Sequence, residues 1–177
     1  PISLEIGVHQ GDFSKKLFLN FRPKKLVLVD PWIIYDKPIY KKSWYGNSNK
    51  LGQQKQNQYF EEIKVFFEKQ ILNNEIEVNR ETSDEYFKNN KYKFDLIYID
   101  GNHLYDFVKK DISNSLDCIN NDGIIVLDDF KSKGWWNDGV TKAINYFIKN
   151  KKVKILESHN LFSYHHQCIL QKIVKKF

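Results

Sequence analysis

The sequence predicts an α/β fold built on a doubly wound, mostly parallel sheet with helices on both faces. Two segments, FDLIYIDGNH at 94–103 and GIIVLDDF at 123–130, are apolar runs that end abruptly at acids or glycine. Such runs are typical of strands buried on both faces, as in a parallel sheet covered by helices. A third observation is the strand, glycine turn, helix and second strand within residues 3–29, the unit that begins a doubly wound sheet.

The remaining elements follow from hydrophobic periodicity and turn residues. We expect strands at 3–8, 25–29, 75–78, 94–100, within 123–130, and at 153–156 and 164–173. Helical spacing covers 13–21, 59–72, 85–88, 106–119 and 140–148. No helix separates the last two strands, so we expect them to form an antiparallel pair at one edge of the sheet.

The chain is predicted to form one domain over residues 1–177, because 177 residues bury one good core but not two. Two aromatic segments, 31–58 and 131–138, interrupt the regular pattern. Long loops in compact domains are usually functional, so we expect both segments to be lid-like insertions.

Composition limits the classes of partner. The formal net charge is +6, yet the lysines are scattered, so the sequence does not favour nucleic acid as partner. No apolar run approaches the roughly 20 residues of a membrane span, and no signal peptide is visible. Cys118 and Cys168 lie in apolar-periodic segments without metal-like spacing, which indicates reduced, buried thiols. We therefore expect a cytoplasmic protein without a membrane partner.

A candidate cofactor loop follows the first strand. Glu5, Gly7 and Gly11 stand in the order E-x-G-x-x-x-G, and Ser14 falls on the first turn of the next helix. Glycines let the backbone approach a ligand, while the helix N-terminus offers free N–H groups. The spacing differs from the G-x-G-x-x-G of dinucleotide sites. Asp30 ends the second strand, where an acid can accept hydrogen bonds from ribose hydroxyls.

These motifs resemble those of class I S-adenosylmethionine (SAM)-dependent methyltransferases, in particular a small subfamily with EIGVxxGxFS, VDPW and IDGxHxY motifs. The corresponding segments here are 5–14, 29–32 and 99–105. The resemblance implies a Rossmann-like seven-stranded sheet whose last strand is antiparallel. It further implies that Gly7 and Gly11 face the methionine moiety, and that Asp30 binds the ribose. Trp32 would lie in the adenine region, and Ser83 or Asp84 at the adenine edge.

Asp100, Asp128 and Asp129 converge from the ends of two adjacent strands. Three close carboxylates are destabilising unless their pKa values rise or a cation binds them, and oxygen ligands select Mg²⁺, Mn²⁺ or Ca²⁺. The pattern resembles the metal site of catechol-type and antibiotic-sugar O-methyltransferases, with Asp129 agreeing with the sugar-type pattern. The alternative is that Asp128 or Asp129 caps the following loop and Asp100 only orders the glycine turn.

His103 takes the position of a lysine general base in the catechol-type enzymes. An ordinary imidazole has a pKa of about 6.5, so at neutral pH much of it is free to accept a hydroxyl proton. We expect His103, with Asp100, to be catalytic. Two alternatives stay open, namely that His103 caps the next helix or is a further metal ligand.

The sequence thus predicts a SAM-dependent enzyme that uses a divalent cation, most simply Mg²⁺, to methylate a hydroxyl of a sugar-like or phenol-like small molecule. The alternatives are a nucleic-acid methyltransferase and a SAM-binding module without turnover. The catechol-type enzymes cover the acceptor with helices before the first strand, so we also leave open a homo-oligomer in which a second copy completes the pocket.

Overall fold

The computed structural model describes residues 1–46, 52–161 and 165–174, except for the side chains of residues 160, 161 and 165. Its strands are β1 (Ile2–Ile6), β2 (Lys25–Val29), β3 (Ile76–Asn79), β4 (Phe94–Ile99), β5 (Ile119–Leu127), β6 (Val153–Leu161) and β7 (His165–Lys172). Its helices are α1 (Asp12–Phe21), α2 (Gly52–Phe66), α3 (Glu68–Leu72), α4 (Ser83–Asn89), α5 (Tyr105–Cys118) and α6 (Gly139–Lys149), with a short 3₁₀ helix at Pro38–Tyr40.

The seven strands form one sheet in the order β3-β2-β1-β4-β5-β7-β6. The pairs among β3, β2, β1, β4 and β5 are parallel, whereas β7 runs antiparallel to both β5 and β6. The predicted fold class, with the last strand antiparallel and helices on both faces, is therefore confirmed. The connection between β6 and β7 lies outside the described residues.

Strand residues alternate between two cores, one on each face of the sheet. In β4, Ile97 and Ile99 belong to the core under α5 and α6, while Leu96 and Tyr98 belong to the core under α1 and α2. β1 follows the same alternation, so Glu5 lies on the α1 and α2 face and is only 1 % exposed. A carboxylate buried at that depth needs a specific explanation.

Several expected boundaries shift. The segment expected to be irregular at 31–58 becomes helical at Gly52, since α2 begins there, and the helix expected over 59–72 is two helices separated at Phe67. The strand expected within 123–130 begins earlier, since β5 starts at Ile119, and its register with β4 slips between Phe94 and Leu96. None of the described helices is both long and apolar enough to cross a membrane.

Candidate functional site

The carboxyl ends of β2, β1, β4 and β5 meet along one edge of the sheet. The backbone N–H of Asp100 donates to Ile6 at 2.8 Å, and that of Asp128 donates to Ile99 at 3.2 Å, so the ladder continues one residue past each strand. From β1 the strand order continues outward through β2 and β3, and from β4 it continues in the opposite direction through β5. The topological switch point of the sheet therefore lies between β1 and β4. Ligands of open α/β sheets bind at such a switch point.

The turn between β1 and α1 packs directly against this edge. Gly7 has φ +89°, and a Cβ on it would lie 2.1 Å from the carbonyl oxygen of Asp100. Gly11, with φ +76°, is the N-cap of α1, and a Cβ there would lie 2.9 Å from Ile63. Gly7 is thus required by close packing against the end of β4, and Gly11 by its left-handed backbone and its contact with α2.

Asp30 is held by the backbone around it. The N–H of His9 donates to Oδ2 at 3.0 Å, and that of Trp32 donates to Oδ1 at 2.6 Å. Burial raises the pKa of this carboxyl above its usual range, although these hydrogen bonds oppose the shift. Each carboxylate oxygen accepts more than one hydrogen bond, so both retain capacity for two ribose hydroxyls.

Trp32 lies deeper than the resemblance implies. Its side chain is fully buried, and the indole N–H donates to the carbonyl of His9 at 2.9 Å. The ring packs against Phe60 with centroids 5.1 Å apart. Trp32 therefore supports the loop after β2 from within the core and offers no exposed ring face for stacking.

Three polar side-chain atoms are buried near the turn after β1 without a hydrogen-bond partner in the described part of the chain. They are Glu5 Oε2, His9 Nε2 and Ser14 Oγ. Burial, supported by the charges of Asp100 and Asp30, raises the pKa of Glu5 to about 8, although the neighbouring Ser14 hydroxyl opposes the shift. Unpaired buried polar groups are rare in native proteins, so this group of atoms fits a polar ligand better than an empty core.

Ser83 and Asp84 open α4, which follows the end of β3. Thr82 is the N-cap, and its reciprocal bonds with Glu85 form a capping box. The Asp84 carboxylate forms an ion pair of 2.5 Å with Lys110 on α5. The helix expected at 85–88 therefore begins two residues earlier, and Asp84 is already engaged in joining α4 to α5.

Asp100, His103 and Asp129 form a cluster at the ends of β4 and β5. His103 Nε2 lies 2.8 Å from Asp129 Oδ2 and 3.3 Å from Asp100 Oδ1. One ligand atom from each residue lies within 4.8 Å of the other two, a spacing that suits a single metal ion. The two carboxylates suit Mg²⁺ and Mn²⁺, whereas an imidazole ligand is more typical of first-row transition metals such as Fe²⁺ and Zn²⁺.

The cluster holds a proton when no cation is bound. Burial alone lowers the pKa of His103, but hydrogen bonds to Asp100 and Asp129 outweigh it and raise this pKa to about 9. Burial also raises the pKa of Asp100 to about 6, although the hydrogen bond from His103 opposes that shift. His103 is therefore an imidazolium at neutral pH, and not the free base that an ordinary pKa implies. The N-cap of α5 is Leu104, so His103 does not cap that helix either.

Asp128 is not one of the three residues of this cluster. Its Oδ2 accepts a hydrogen bond of 2.9 Å from the Tyr98 hydroxyl, and its Oδ1 accepts one of 3.0 Å from the N–H of Asp129. The group of donor atoms within 4.8 Å of one another therefore contains His103 with Asp100 and Asp129, and not Asp128 as the sequence predicted. Asp128 lies on the same face as Tyr98 and Asp100, and its charge raises the pKa of Asp100, but its own carboxylate is engaged by Tyr98.

Aromatic residues of the two insertions contact each other above the cluster. Tyr40 and Tyr45 pack on Trp135 with centroid distances of 5.5 and 5.8 Å, and Trp136 lies 4.7 Å from the His103 ring. We call the group Tyr35, Tyr40, Tyr45, Trp135 and Trp136 the aromatic cover.

The aromatic cover is tied to the cluster and carries unpaired polar atoms. Asn102 donates from Nδ2 to the Tyr40 hydroxyl at 2.8 Å. Among the described residues, the Tyr45 hydroxyl and the Trp136 indole N–H are buried without a hydrogen-bond partner. The sequence alone did not single out Tyr98, Asn102 and Tyr40 as parts of the site. The available signal was that Tyr98 precedes Asp100 by two positions in a strand and so shares its face.

A seven-stranded sheet of this order, with a polar loop after β1 and acids after β2 and β4, defines the fold of class I methyltransferases. Residues 4–130 match a family model described as a methyltransferase domain. Because the match covers more than half of the chain, the protein belongs to this family and is a SAM-dependent methyltransferase. A comparison with curated proteins finds no match.

Solved structures share the fold at low sequence identity. The SAH-bound methyltransferase PaMTH1 of Podospora anserina is 15 % identical with a TM-score of 0.67, covering 97 % of this chain and 71 % of its own. A Bacillus cereus O-methyltransferase in complex with SAH is 15 % identical with a TM-score of 0.66, covering 96 % and 73 %. The B. subtilis tRNA methyltransferase TrmK is 12 % identical with a TM-score of 0.58, covering 97 % and 59 %. These neighbours differ in acceptor, so they support the fold and leave the acceptor open.

Proposed function

We propose that this methyltransferase transfers the SAM methyl group to a hydroxyl of a small molecule with the help of a divalent cation. The observation that carries the proposal is the convergence of Asp100, His103 and Asp129 donor atoms within 4.8 Å of one another. The cluster lies beside the turn whose buried polar atoms suit a cofactor. A methyl acceptor held at the cluster would therefore be next to a cofactor held at β1.

The cofactor site is proposed along β1, β2 and β4. Asp30 would accept hydrogen bonds from the ribose, and the Gly7 to Gly11 turn would lie against the methionine portion. Glu5 Oε2 and Ser14 Oγ, both buried below this turn, would gain a cationic and a polar neighbour when SAM binds. Ser83 stays a candidate for the adenine edge, while Trp32 supports the loop from the core.

The cation site is proposed at Asp100, His103 and Asp129 in place of Asp100, Asp128 and Asp129. A bound divalent cation would polarise an acceptor hydroxyl and lower its pKa. His103 can serve as a ligand only in its neutral form, so the proton it shares with two carboxylates has to leave first. Asp128 would keep Asp129 in place through the hydrogen bond from the Asp129 N–H.

The chain's own groups also position the acceptor and handle its proton. While His103 is charged, its imidazole cannot accept a proton, and only the carboxylates of the cluster could do so. His103 becomes a base only after losing its own proton. The aromatic cover would stack on a phenol or sugar ring and exclude water. The unpaired Tyr45 hydroxyl and Trp136 N–H are available to orient polar groups of such an acceptor.

Two measurements on the purified protein test the proposal. Calorimetry with SAM should show saturable binding, and radiolabelled methyl transfer to a panel of phenols and sugars should stop in excess chelator and return with Mg²⁺ or Mn²⁺. Asp129→Asn should bind SAM normally but lose most of the transfer. Full transfer activity in chelator would remove the cation from the proposal, and lack of SAM binding would remove the proposal altogether.

A further inference from the structure

A groove between α5 and α6 forms a cavity of about 510 Å³ outside the Asp100, His103 and Asp129 cluster. Its polar lining residues are Asp106, Lys109, Lys110, Ser113, Tyr146, Asn150 and Lys152. The volume falls within the range of small-molecule sites, which is about 300–1,000 Å³. The proposed function uses none of these residues.

Lys109 is fixed in this groove without a counter-charge. Its Nζ lies 4.1 Å from the centroid of the Tyr146 ring and 5.6 Å from that of Tyr105. Asp106 stands one helical turn earlier, at the spacing of a common ion pair. Within the described residues, however, Lys109 pairs with neither Asp106 nor another acid. The rings thus hold the ammonium in place while its charge stays uncompensated.

The other two lysines differ in their pairing. Lys110 is neutralised by Asp84 on α4. Lys152 follows α6, and its backbone N–H donates to the Phe147 carbonyl at 3.0 Å, which fixes where its side chain starts. Its ammonium forms no ion pair in the part of the chain that the structure describes. Two ammonium groups of the groove are therefore without an ion pair among the described residues, one on each helix side, and Asp106 is the one lining acid that is not paired with a lysine.

We propose that this groove binds a phosphate monoester of a small organic molecule. A monoester carries about −1.5 to −2 charges at neutral pH. The ammonium groups of Lys109 and Lys152 would pair with it, and the exposed Asp106 carboxylate leaves the lining with a net positive charge. The cavity exceeds the volume of a phosphate group, and Phe147 and the Tyr146 ring give it an apolar wall for the organic part. The Ser113 hydroxyl supplies a further donor, whereas the Asn150 amide is already bonded to the Tyr146 carbonyl at 2.7 Å.

A nucleic-acid backbone fits this groove less well. Each phosphodiester carries one charge, and a strand needs a basic stripe along which its phosphates can lie. Here the two free ammonium groups face a single concave site, and the remaining lysines of the chain are scattered. A polynucleotide is nevertheless one outcome that the experiment distinguishes.

The test is calorimetric titration of the full chain with phenyl phosphate, inorganic phosphate and a single-stranded RNA oligonucleotide. We expect saturable binding of phenyl phosphate, with weaker binding of inorganic phosphate. Lys109→Gln and Lys152→Gln should each weaken phenyl phosphate binding about tenfold, as expected for losing a charged hydrogen-bond donor. Lys154→Gln is the matched control, because it removes the same charge from an exposed residue outside the groove.

Three outcomes would overturn the inference. Equal weakening in the Lys154→Gln control would mean a general charge effect. Equal affinity for inorganic and phenyl phosphate would mean that no organic group is recognised. Binding of the oligonucleotide but not of phenyl phosphate would assign the groove to a polynucleotide. SAM affinity should be unchanged in all three variants, so a failure here is separable from a failure of the proposed function.

Discussion

At the residue scale, adjacent acids have different roles. Asp128 is fixed by the Tyr98 hydroxyl, while Asp129 has φ +57° and turns its carboxylate to His103. The sequence could place all three acids at one edge, because parallel strands end together. It could not choose between Asp128 and Asp129, because a left-handed backbone at a non-glycine residue is set by tertiary contacts.

Asp129→Asn should weaken Mn²⁺ binding by more than about tenfold, since it removes one of the charged ligand candidates. Asp128→Asn should change the affinity little, because an asparagine at that position still accepts the Tyr98 hydrogen bond. Mn²⁺ titration followed by electron paramagnetic resonance measures both affinities. The reverse ranking of the two variants would restore Asp128 as the ligand.

Glu5 should make the stability of the protein depend on pH. In the folded protein the Glu5 carboxyl keeps its proton up to about pH 8, whereas an ordinary glutamate side chain loses it near pH 4.5. The folded state therefore binds more protons in this window, and stability falls as pH rises from 4.5 to 8, then levels off. Glu5→Gln should lack this fall, which is on the order of a few kcal/mol for a fully buried carboxyl.

Urea unfolding of the wild-type protein and of Glu5→Gln at both ends of that window checks this expectation. The difference between the two free energies of unfolding, and not either value alone, isolates Glu5 from other titrating groups. Parallel curves for the two proteins would show that Glu5 is ionised in the folded state.

At the element scale, the turn from β1 to α1 is the most constrained connection. Gly7 combines a positive φ with a close approach of its backbone to Asp100. The sequence predicted this turn correctly, because two glycines stand between an apolar strand and an amphipathic helix. It misjudged the start of α2, because the first turns of that helix, GQQKQNQ at 52–58, are polar and give no hydrophobic period.

Gly7→Ala should destabilise the protein by at least about 3 kcal/mol, because strain at positive φ adds to a clash with backbone that cannot move. Gly52→Ala is the matched control. Its φ of +62° is also left-handed, but nothing lies within 4 Å of the added Cβ. Its cost should stay near 1 kcal/mol. Equal thermal unfolding shifts for the two variants would contradict the packing of the turn on β4.

The aromatic cover should behave as one unit. Trp135→Ala removes the ring contacts to Tyr40 and Tyr45, each of which contributes about 0.5–1.5 kcal/mol. The backbone bond from Tyr35 to Tyr45 should then open more often, and the Tyr35 amide should exchange faster with deuterium. Phe107→Ala, an exposed residue of α5, is the control and should leave this exchange unchanged.

At the scale of the whole molecule, the sequence predicted the sheet better than the site. The apolar runs at 94–100 and 123–130 correctly predicted β4 and β5. The absence of a predicted helix before the last strand correctly predicted the antiparallel pair of β6 and β7. The contact between the insertions could not be predicted, because Tyr40 and Trp135 are far apart in sequence and lack a periodic pattern. The protonation of His103 could not be predicted either, because it depends on the distances from its Nε2 to Asp100 and Asp129 in the folded chain.

The proposed function depends on a divalent cation that binds Asp100, His103 and Asp129 beside the cofactor. Crystals grown with SAH and Mn²⁺ and measured for anomalous scattering test this binding most directly. We expect an anomalous peak within about 2–2.5 Å of one donor atom from each of the three residues, with SAH along β1 and β2. Bound SAH with no peak at the cluster, or a peak on Asp128 that leaves Asp129 free, would contradict it.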